Sequence, residues 1–323
     1  MRQIPLSAIQ AAATSVYEAA VRTPLVRLDF PTWPGDAPAP EIFLKLESLQ
    51  PIGSFKIRGA WNAVRALSSE ALATGVWTVS AGNAAQGVAF AARRAGAACS
   101  VMVIDTAPET KVRSIERLGA RVVPASYEEC WQTVERHGSD RMQGHFVHPF
   151  DDDRFIAGNG TAGLEILDDL PDVDTIVAPI GGGGLLAGIG AAVRALKPEV
   201  QVFAAEPETA APLAASLSRG EPGAFENWQA SFVDGAGGRS VLPTMWPLLK
   251  SLVNGSIVVS LDEVRQAMRR TAERVHVIAE GAAACAVAAA LSGRTGGRKI
   301  VAVVSGGNVD LTRFATLVDA CPH

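Results

Sequence analysis

The chain has 323 residues, of which 48% are hydrophobic and 19% are charged, and its formal net charge is -4. A chain of this size and composition forms a globular protein of about two domains. The slight negative charge gives no electrostatic basis for binding nucleic acid or an anionic membrane surface. No uninterrupted apolar run reaches the ~18–20 residues of a membrane helix, and the N-terminus lacks the layout of a secretory signal. We therefore expect a cytoplasmic protein.

Short apolar runs alternate with alanine-rich helical patterns along most of the chain. This alternation predicts parallel sheets covered by helices on both faces, and hence an α/β fold. Two of the helical patterns, at 84–96 and 107–120, close on or next to a glycine, which commonly ends a helix. The segments predicted to be strands are 76–80, 99–104, 121–125, 173–180, 200–206 and 299–305.

Two further segments organise the chain. Residues 30–41 are rich in proline and are predicted to form a loop. The polar stretch 138–153 marks a return from a smaller inner domain to a larger outer one. We therefore expect a large domain built from residues 1–66 and 148–323 and a small domain built from residues 67–147, with no additional regulatory domain.

The segment "GSFKIRG" places Lys56 between two apolar residues, Phe55 and Ile57. Desolvation lowers the pKa of an amine, so this context suits a lysine that must lose its proton and attack a carbonyl. The alternative is an ordinary lysine with a packed stem and a solvated head. The segment alone does not decide between these two roles.

The segment "IVAPIGGGGLLAGIGAAVRAL" (176–196) reads as a buried strand, four glycines and an apolar helix. Only glycine lets the backbone approach a ligand this closely, and a helix start offers unpaired N–H groups. The pattern predicts a phosphate cradle, against the alternative of a flexible turn. It lacks the lysine and Ser/Thr of a nucleoside triphosphate loop and the spacing of a dinucleotide-binding loop.

Two more junctions between a strand and a loop contain polar residues. In "VSAGNAAQG" (79–87), Ser80 and Asn83 either cap a helix or form a second anion site, suited to a carboxylate. In "VAVVSGGNVD" (301–310), Ser305 ends a strand, where open parallel sheets place their ligands, although a turn serine is the simpler interpretation. A lysine, a phosphate cradle, a carboxylate loop and a strand-end hydroxyl together suit pyridoxal 5′-phosphate.

The segments "GSFKIRGA", "SAGNAAQG", "GGGGLLAG" and "SGGNVD" resemble, in order, the signatures of the fold-type II pyridoxal-phosphate enzymes. The similarity is greatest to the threonine/serine dehydratase branch, which includes serine racemase, and "RTPLVRL" (22–28), "IAGNGTAGLEIL" (156–167) and "AEGAAACAVAAAL" (279–291) fit it too. It implies a tryptophan synthase β-like α/β fold, in which two open twisted parallel-sheet domains hold the active site between them. It also implies a homodimer.

The resemblance further implies a role for individual residues. Lys56 would be joined covalently to the cofactor aldehyde and would remove the Cα proton of the substrate. Phe55 would pack near the cofactor ring, Asn83 would bind its 3′-oxygen, and Ser305 would face its nitrogen. The other residues implied to bind the cofactor are Gly181, Gly182, Gly183, Gly184, Leu185, Gly235 and Glu280. The residues implied to bind the substrate carboxylate are Ser80, Ala81, Gly82, Asn83 and Ala84.

A hydroxyl at position 305 favours one type of reaction. It cannot keep the ring nitrogen protonated as a carboxylate would, so prompt loss of a β-substituent is the natural outcome. We therefore expect β-elimination of water from a 3-hydroxy amino acid (threonine, serine or a bulkier 3-substituted serine), which gives a 2-oxo acid and ammonia. The cofactor phosphate is expected to donate the proton that the leaving hydroxyl needs.

Three positions depart from the family pattern. Ala84 replaces a histidine, which predicts a roomier pocket and a larger substrate. Ala81 replaces the serine that acts as the second acid/base in racemases, which favours a lyase. Some relatives hold a divalent cation through two carboxylates, but here only Glu206 and the Ala210 carbonyl are available as candidate ligands. We therefore assign no metal site, leave a divalent cation open, and note that Glu206 can be an ordinary strand-end acid.

Several other functions remain open at this point. A racemase or a β-replacement synthase would share the fold and the cofactor. A non-catalytic protein that binds pyridoxal phosphate is a remote alternative. A nicotinamide dehydrogenase is disfavoured because the glycine loop lacks the G-x-G-x-x-G spacing of a dinucleotide-binding loop.

Overall fold

A computed structural model describes residues 2–29 and 39–320 of the chain. The predicted loop at 30–41 therefore lies mostly outside the described residues, and its last residue, Glu41, begins a strand. The strands of the described part are β1 Leu25–Arg27, β2 Glu41–Leu46, β3 Val76–Val79, β4 Cys99–Ile104, β5 Arg121–Ala125, β6 His145–Phe146, β7 Thr175–Pro179, β8 Gln201–Pro207, β9 Gly255–Val259 and β10 Lys299–Val304.

Helices separate most of these strands. No described helix is long and apolar enough to cross a bilayer. Two short 3₁₀ helices cover Val16–Glu18 and Glu47–Leu49. The α-helices are α1 Leu6–Ala13, α2 Lys56–Arg65, α3 Ser69–Thr74, α4 Asn83–Arg94, α5 Glu109–Glu116, α6 Tyr127–Arg136, α7 Asp153–Asp169, α8 Gly184–Leu196, α9 Pro212–Arg219, α10 Trp246–Leu252, α11 Leu261–Val275, α12 Gly281–Leu291 and α13 Leu311–Asp319.

The strands form two sheets. The large sheet has the order β1-β2-β10-β7-β8-β9, and the small sheet has the order β5-β4-β3-β6. All of the described pairings between these strands are parallel except β1 with β2. The predicted α/β class and the six predicted strands are confirmed. Every strand of the small sheet lies within the predicted small domain, residues 67–147, but the domain boundaries themselves stay a prediction.

The composition of the buried elements explains why both faces of the large sheet can be covered. All five residues of β7 are buried, and α12 is so rich in alanine that ten of its residues are buried. Helices α7 and α8 pack closely, since a Cβ on Gly188 would lie only 2.5 Å from the carbonyl oxygen of Ile156. Small side chains therefore bring the helices close to the sheet and to one another.

A buried ionic network fixes α2, the helix that begins at Lys56. The Arg58 guanidinium lies 2.7 Å from Glu47 and 2.6 Å from Glu165, and the Lys45 amine lies 2.6 Å from Glu165. All four side chains are at most 1% exposed. Burial alone would raise the pKa of Glu47, but the Arg58 charge outweighs it and holds that pKa below its usual value. Among these four side chains, two positive charges therefore balance two negative charges between β2, the 3₁₀ helix Glu47–Leu49, α2 and α7.

Replacing Arg58 by methionine should lower the free energy of unfolding by about 3–5 kcal/mol, because Glu47 and Glu165 would be left buried with half of their compensating charge. Urea-induced unfolding followed by circular dichroism measures this loss. The matched control is Arg65→Met, at the C-terminal end of the same helix. The ion pair of Arg65 with Glu18 is exposed and contributes less than about 1 kcal/mol. Equal losses in the two variants would contradict the proposed importance of the network.

Candidate active site

The candidate site lies where the carboxyl ends of strands from the two sheets meet. The backbone N–H of Phe55 donates to the carbonyl of Ser305 at 3.0 Å, which joins the start of α2 to the end of β10. A Cβ on Gly87 would lie 3.1 Å from the Lys56 carbonyl, so α4 of the small sheet packs against the same point. Parallel α/β sheets place their ligands at such an edge. The geometry therefore brings three of the sequence motifs together.

Lys56 is the first residue of α2 and is only partly accessible. Its amine donates a hydrogen bond to the carbonyl oxygen of Pro149 at 2.7 Å. It also lies 5.2 Å from the centre of the Phe55 ring and 5.4 Å from that of the Phe155 ring. Burial lowers the pKa of the Lys56 amine to about 8. More of this amine is therefore neutral near pH 7 than of a solvated lysine, as a nucleophile or base requires.

The glycine loop begins directly after β7 and leads into α8. Gly183 has a φ of 92°, and α8 begins at the next residue. A Cβ on Gly182 would lie 2.1 Å from the Phe150 ring, so a side chain there would collide with Phe150. The first N–H groups of a helix have no intrahelical acceptor and attract anions. The loop is therefore a closely packed turn whose backbone N–H groups lie at a helix start, as an anion site requires.

Asn83 is held from both ends of its amide. Its Nδ2 donates to Glu280 Oε1 at 2.7 Å, and its Oδ1 accepts from Asn308 Nδ2 at 2.8 Å. The N-cap of α4 is Gly82, and Asn83 does not cap the helix as the simpler interpretation had it. The side chain is fixed in one orientation that points away from its own helix.

Glu280 is the acidic group of the site. Burial raises the pKa of the Glu280 carboxyl to about 7, although the hydrogen bond from Asn83 opposes this shift. Its Oε1 lies 2.7 Å from where a Cβ of Gly306 would be and 3.7 Å from that of Gly235. Glu280 therefore connects the carboxylate loop, the turn after β10 and the loop that contains Gly235.

The remaining predicted residues lie around these groups. Ser305 directly follows β10 and is 3% exposed. Ser80 accepts a hydrogen bond from the Gly82 N–H at 3.1 Å, while a Cβ on Gly82 would face open space. Ala84 is 4% exposed in the first turn of α4, and Ala81 is half-buried. A loop with an open face at Gly82 leaves room for a substrate carboxylate.

Glu206, the weak metal candidate, makes hydrogen bonds within the protein. Its two carboxylate oxygens accept from the backbone N–H groups of Leu213 and Ala214, each at 2.8 Å, and from the Ser256 hydroxyl. It is fully buried and stabilises the start of α9. The Ala210 residue beside it is 1% exposed. These donors favour the interpretation of Glu206 as a strand-end acid.

Three groups that contribute to the site were not predicted from the sequence. The carbonyl of Pro149 carries no side-chain signal, and the Phe150 ring that packs on Gly182 looks like any apolar residue. Asn308 lies within "SGGNVD", and its amide beside two glycines was the one available clue. In this network Asn83 bonds to Glu280, which lies 197 positions away in the chain, and to Asn308, which lies 225 positions away.

Comparison with known proteins agrees with this geometry. The model of the family described as pyridoxal-phosphate-dependent enzymes matches residues 16–306. An L-threonine ammonia-lyase of Thermotoga maritima is 39% identical over 86% of this chain and 70% of its own. A catabolic L-threonine dehydratase of Staphylococcus aureus is 35% identical over 98% of this chain and 92% of its own.

A solved structure of maize serine racemase has a similar fold. It superposes with a TM-score of 0.85 at 30% sequence identity, and the match covers 98% of this chain and 97% of the racemase. The predicted fold-type II architecture and its cofactor are confirmed. The chain therefore belongs to the family of pyridoxal-phosphate-dependent enzymes.

Proposed function

We propose that this enzyme is a hydroxy-amino-acid ammonia-lyase, which eliminates water from a 3-hydroxy amino acid and releases a 2-oxo acid and ammonia. The observation that carries this proposal is the position of Lys56. Its amine, with a pKa lowered to about 8, donates to the carbonyl of Pro149, and the next residue, Phe150, packs on Gly182 of the cradle. The residue before Lys56, Phe55, is hydrogen-bonded to Ser305 after β10. The two relatives named for threonine deamination support the same reaction type.

The residues of the site fit pyridoxal 5′-phosphate. The Lys56 amine would hold its aldehyde, and the backbone N–H groups of 181–185 would hold its phosphate. Asn83 would contact the 3′-oxygen, Ser305 would face the ring nitrogen, and Phe55 would pack near the ring. Gly235 and Glu280 would complete the binding site, since Gly235 packs against the cradle and Glu280 fixes Asn83. When bound, the cofactor withdraws electrons from Cα of the substrate and weakens its Cα–H bond.

The residues of the chain then perform the proton transfers. The backbone N–H groups of 80–84 bind the substrate carboxylate at the start of α4. The Lys56 amine, neutral in a larger fraction than a solvated lysine, removes the proton from Cα. Ser305 would face the ring nitrogen with a hydroxyl in place of a carboxylate, which would favour prompt departure of the β-hydroxyl. The β-hydroxyl takes up a proton, for which the bound phosphate would be the donor, and leaves as water while the Cα–Cβ double bond forms. Hydrolysis of the released enamine then gives the 2-oxo acid and ammonia.

A racemase is the second candidate, since the maize serine racemase has the same fold. Racemisation needs an acid/base on each face of Cα. Ala81, in the carboxylate loop, has a methyl group that cannot transfer a proton. The lyase is therefore favoured over the racemase, while a β-replacement synthase has no specific observation in its support.

The organisation of the protein is also part of the proposal. Residues 67–147 form a small domain that closes on the substrate, and residues 1–66 and 148–323 form the large domain that binds the cofactor. The protein acts as a homodimer in the cytoplasm on a small amino acid. The parallel sheet within 76–146 and the family membership support this organisation.

Lys56→Ala should abolish covalent attachment of the cofactor and lower 2-oxo acid release by more than about 100-fold, because the chain loses its base and its carbonyl partner. Borohydride reduction followed by peptide mass spectrometry locates the modified lysine, and a carbonyl reagent measures the 2-oxo acid. Lys250→Ala, at an exposed lysine, is the control and should behave as the wild type. Retained attachment or turnover in the Lys56 variant would refute the assignment.

Glu280→Gln should change how stability depends on pH. The folded pKa of about 7 lies above the ordinary value of 4.5, so the folded state holds the proton more tightly than the unfolded state. The contribution of Glu280 to the free energy of unfolding is therefore fully present below about pH 4.5 and is lost as the pH rises through about 7. Relative to the variant, the wild type should lose unfolding free energy between about pH 5 and pH 8, measured on cofactor-free protein in urea. Parallel pH curves, as expected for the exposed control Glu116→Gln, would contradict this shift.

Ala84→His should narrow the substrate range towards threonine and serine, because the larger side chain fills space beside the carboxylate loop. The ratio of kcat/KM for a 3-aryl serine to that for threonine should fall by about 10-fold. The control is Ala98→His, at an exposed position outside the site. An unchanged ratio would mean that residue 84 does not limit the size of the substrate.

A further inference from the structure

The turn formed by residues 147–151 contacts both halves of the candidate site. Its Pro149 carbonyl accepts the hydrogen bond from the Lys56 amine at 2.7 Å. Its Phe150 ring fills the space beside Gly182, where a Cβ would come within 2.1 Å. The position of this turn therefore sets the surroundings of the amine and the shape of the cradle together.

One buried side chain holds the 147–151 turn in place. His148 is 2% exposed, and its Nδ1 accepts hydrogen bonds from the backbone N–H groups of Asp151 at 2.7 Å and Phe150 at 3.3 Å. Because Nδ1 accepts, the ring proton lies on Nε2, which is 3.2 Å from the Val134 carbonyl and donates to it. The imidazole thus joins the turn to helix α6 of the small sheet.

The surroundings of His148 match a neutral imidazole in this tautomer. The His137 ring stacks at 4.4 Å, and the Phe150 ring meets it edge-on at 4.7 Å. The Asp151 carboxylate is engaged by His137 at 3.0 Å, by Thr244 at 2.6 Å and by Arg2. Burial and the neighbouring His137 lower the pKa of His148 to about 4. The ring therefore stays neutral across the pH range of ordinary enzymes.

A metal ion is a poorer occupant of this cluster. His137, His148 and Asp151 place their ligand atoms within 4.8 Å of one another, a spacing that suits a cation. Both ring nitrogens of His148, however, are committed to backbone groups, and the Arg2 guanidinium already neutralises Asp151. The cluster is therefore a hydrogen-bonded support for the turn.

We propose that His148 is a positioning residue for the elimination reaction, which holds the Pro149 carbonyl against Lys56 and the Phe150 ring against the glycine cradle. It touches neither substrate nor cofactor and acts through the backbone of the 147–151 turn. This inference rests on the proposed role of Lys56. The proposed role requires a hydrogen-bond acceptor at the position that Nδ1 of His148 occupies.

Loss of that acceptor has two measurable consequences. The backbone N–H groups of Asp151, which is buried, and Phe150, which is partly buried, would lose their partner, and the turn would relax until water satisfied them. Water would then reach Lys56, and its pKa would rise from about 8 towards the value of a solvated lysine. A displacement of this kind should lower kcat by about 100-fold. KM should change much less, because the carboxylate loop at 80–84 is not part of the turn.

Two variants separate this role from simple filling of space. In the variant His148→Asn, the amide oxygen of asparagine can occupy the position of the imidazole Nδ1. In the variant His148→Gln, the longer side chain places its amide near the position of Nε2 and leaves the turn without an acceptor. In the holoenzyme, the asparagine variant should keep kcat within about 3-fold of the wild type, and the glutamine variant should lose about 100-fold. In the cofactor-free protein, amine labelling of Lys56 against pH, read by peptide mass spectrometry, should show a higher midpoint in the glutamine variant alone.

The outcomes are distinguishable. Equal losses in both variants would overturn the proposal, since both carry the same amide group and only asparagine places its oxygen at the Nδ1 position. Wild-type kcat and labelling in the glutamine variant would also overturn it. If the glutamine variant fails to fold, the asparagine variant alone decides, because a loss of activity or a shifted midpoint there contradicts the rescue. Failure of borohydride to fix cofactor at Lys56 in the wild type would refute the proposed function, whereas the variant comparison tests His148 only.

Discussion

The partial desolvation of one lysine amine is the constraint on which the rest of the site depends. An ammonium group is costly to bury, and its pKa falls unless a neighbouring anion offsets the cost. The polar partner that the structure gives the Lys56 amine is the Pro149 carbonyl, which carries no charge. The network around Arg58 shows the opposite arrangement, in which each buried cation is paired with a carboxylate. Helix α2 thus carries both the buried Arg58 guanidinium, whose charge is compensated by carboxylates, and the Lys56 amine, which has no such carboxylate partner in the described structure.

The placement of this amine follows from the parallel arrangement of the strands. Strands β10, β7 and β3 end at the same region, so the hydroxyl of Ser305, the glycine cradle and the carboxylate loop converge although they are far apart in the chain. Each loop is short and leads into or beside a helix start, where backbone N–H groups face outwards. The site is therefore assembled largely from backbone groups, and few side chains determine its chemistry.

Local motifs allowed much of this arrangement to be predicted. Lys56, the four glycines and the strand-end serine each have a local signature, because backbone geometry and nearest neighbours determine them. The partners of Asn83 could not be predicted in the same way, since Glu280 and Asn308 approach it only through the tertiary fold. The bonds that Glu206 makes to the start of α9 depend on the path of the chain after β8, which local periodicity does not reveal.

The most direct test of the role of Lys56 is a crystal structure of the protein with pyridoxal 5′-phosphate. We expect continuous electron density between the Lys56 amine and the aldehyde carbon of the cofactor, with the phosphate bound by the backbone N–H groups of residues 181–185. Density that joins the cofactor to a different lysine, or a phosphate bound away from this loop, would contradict this expectation.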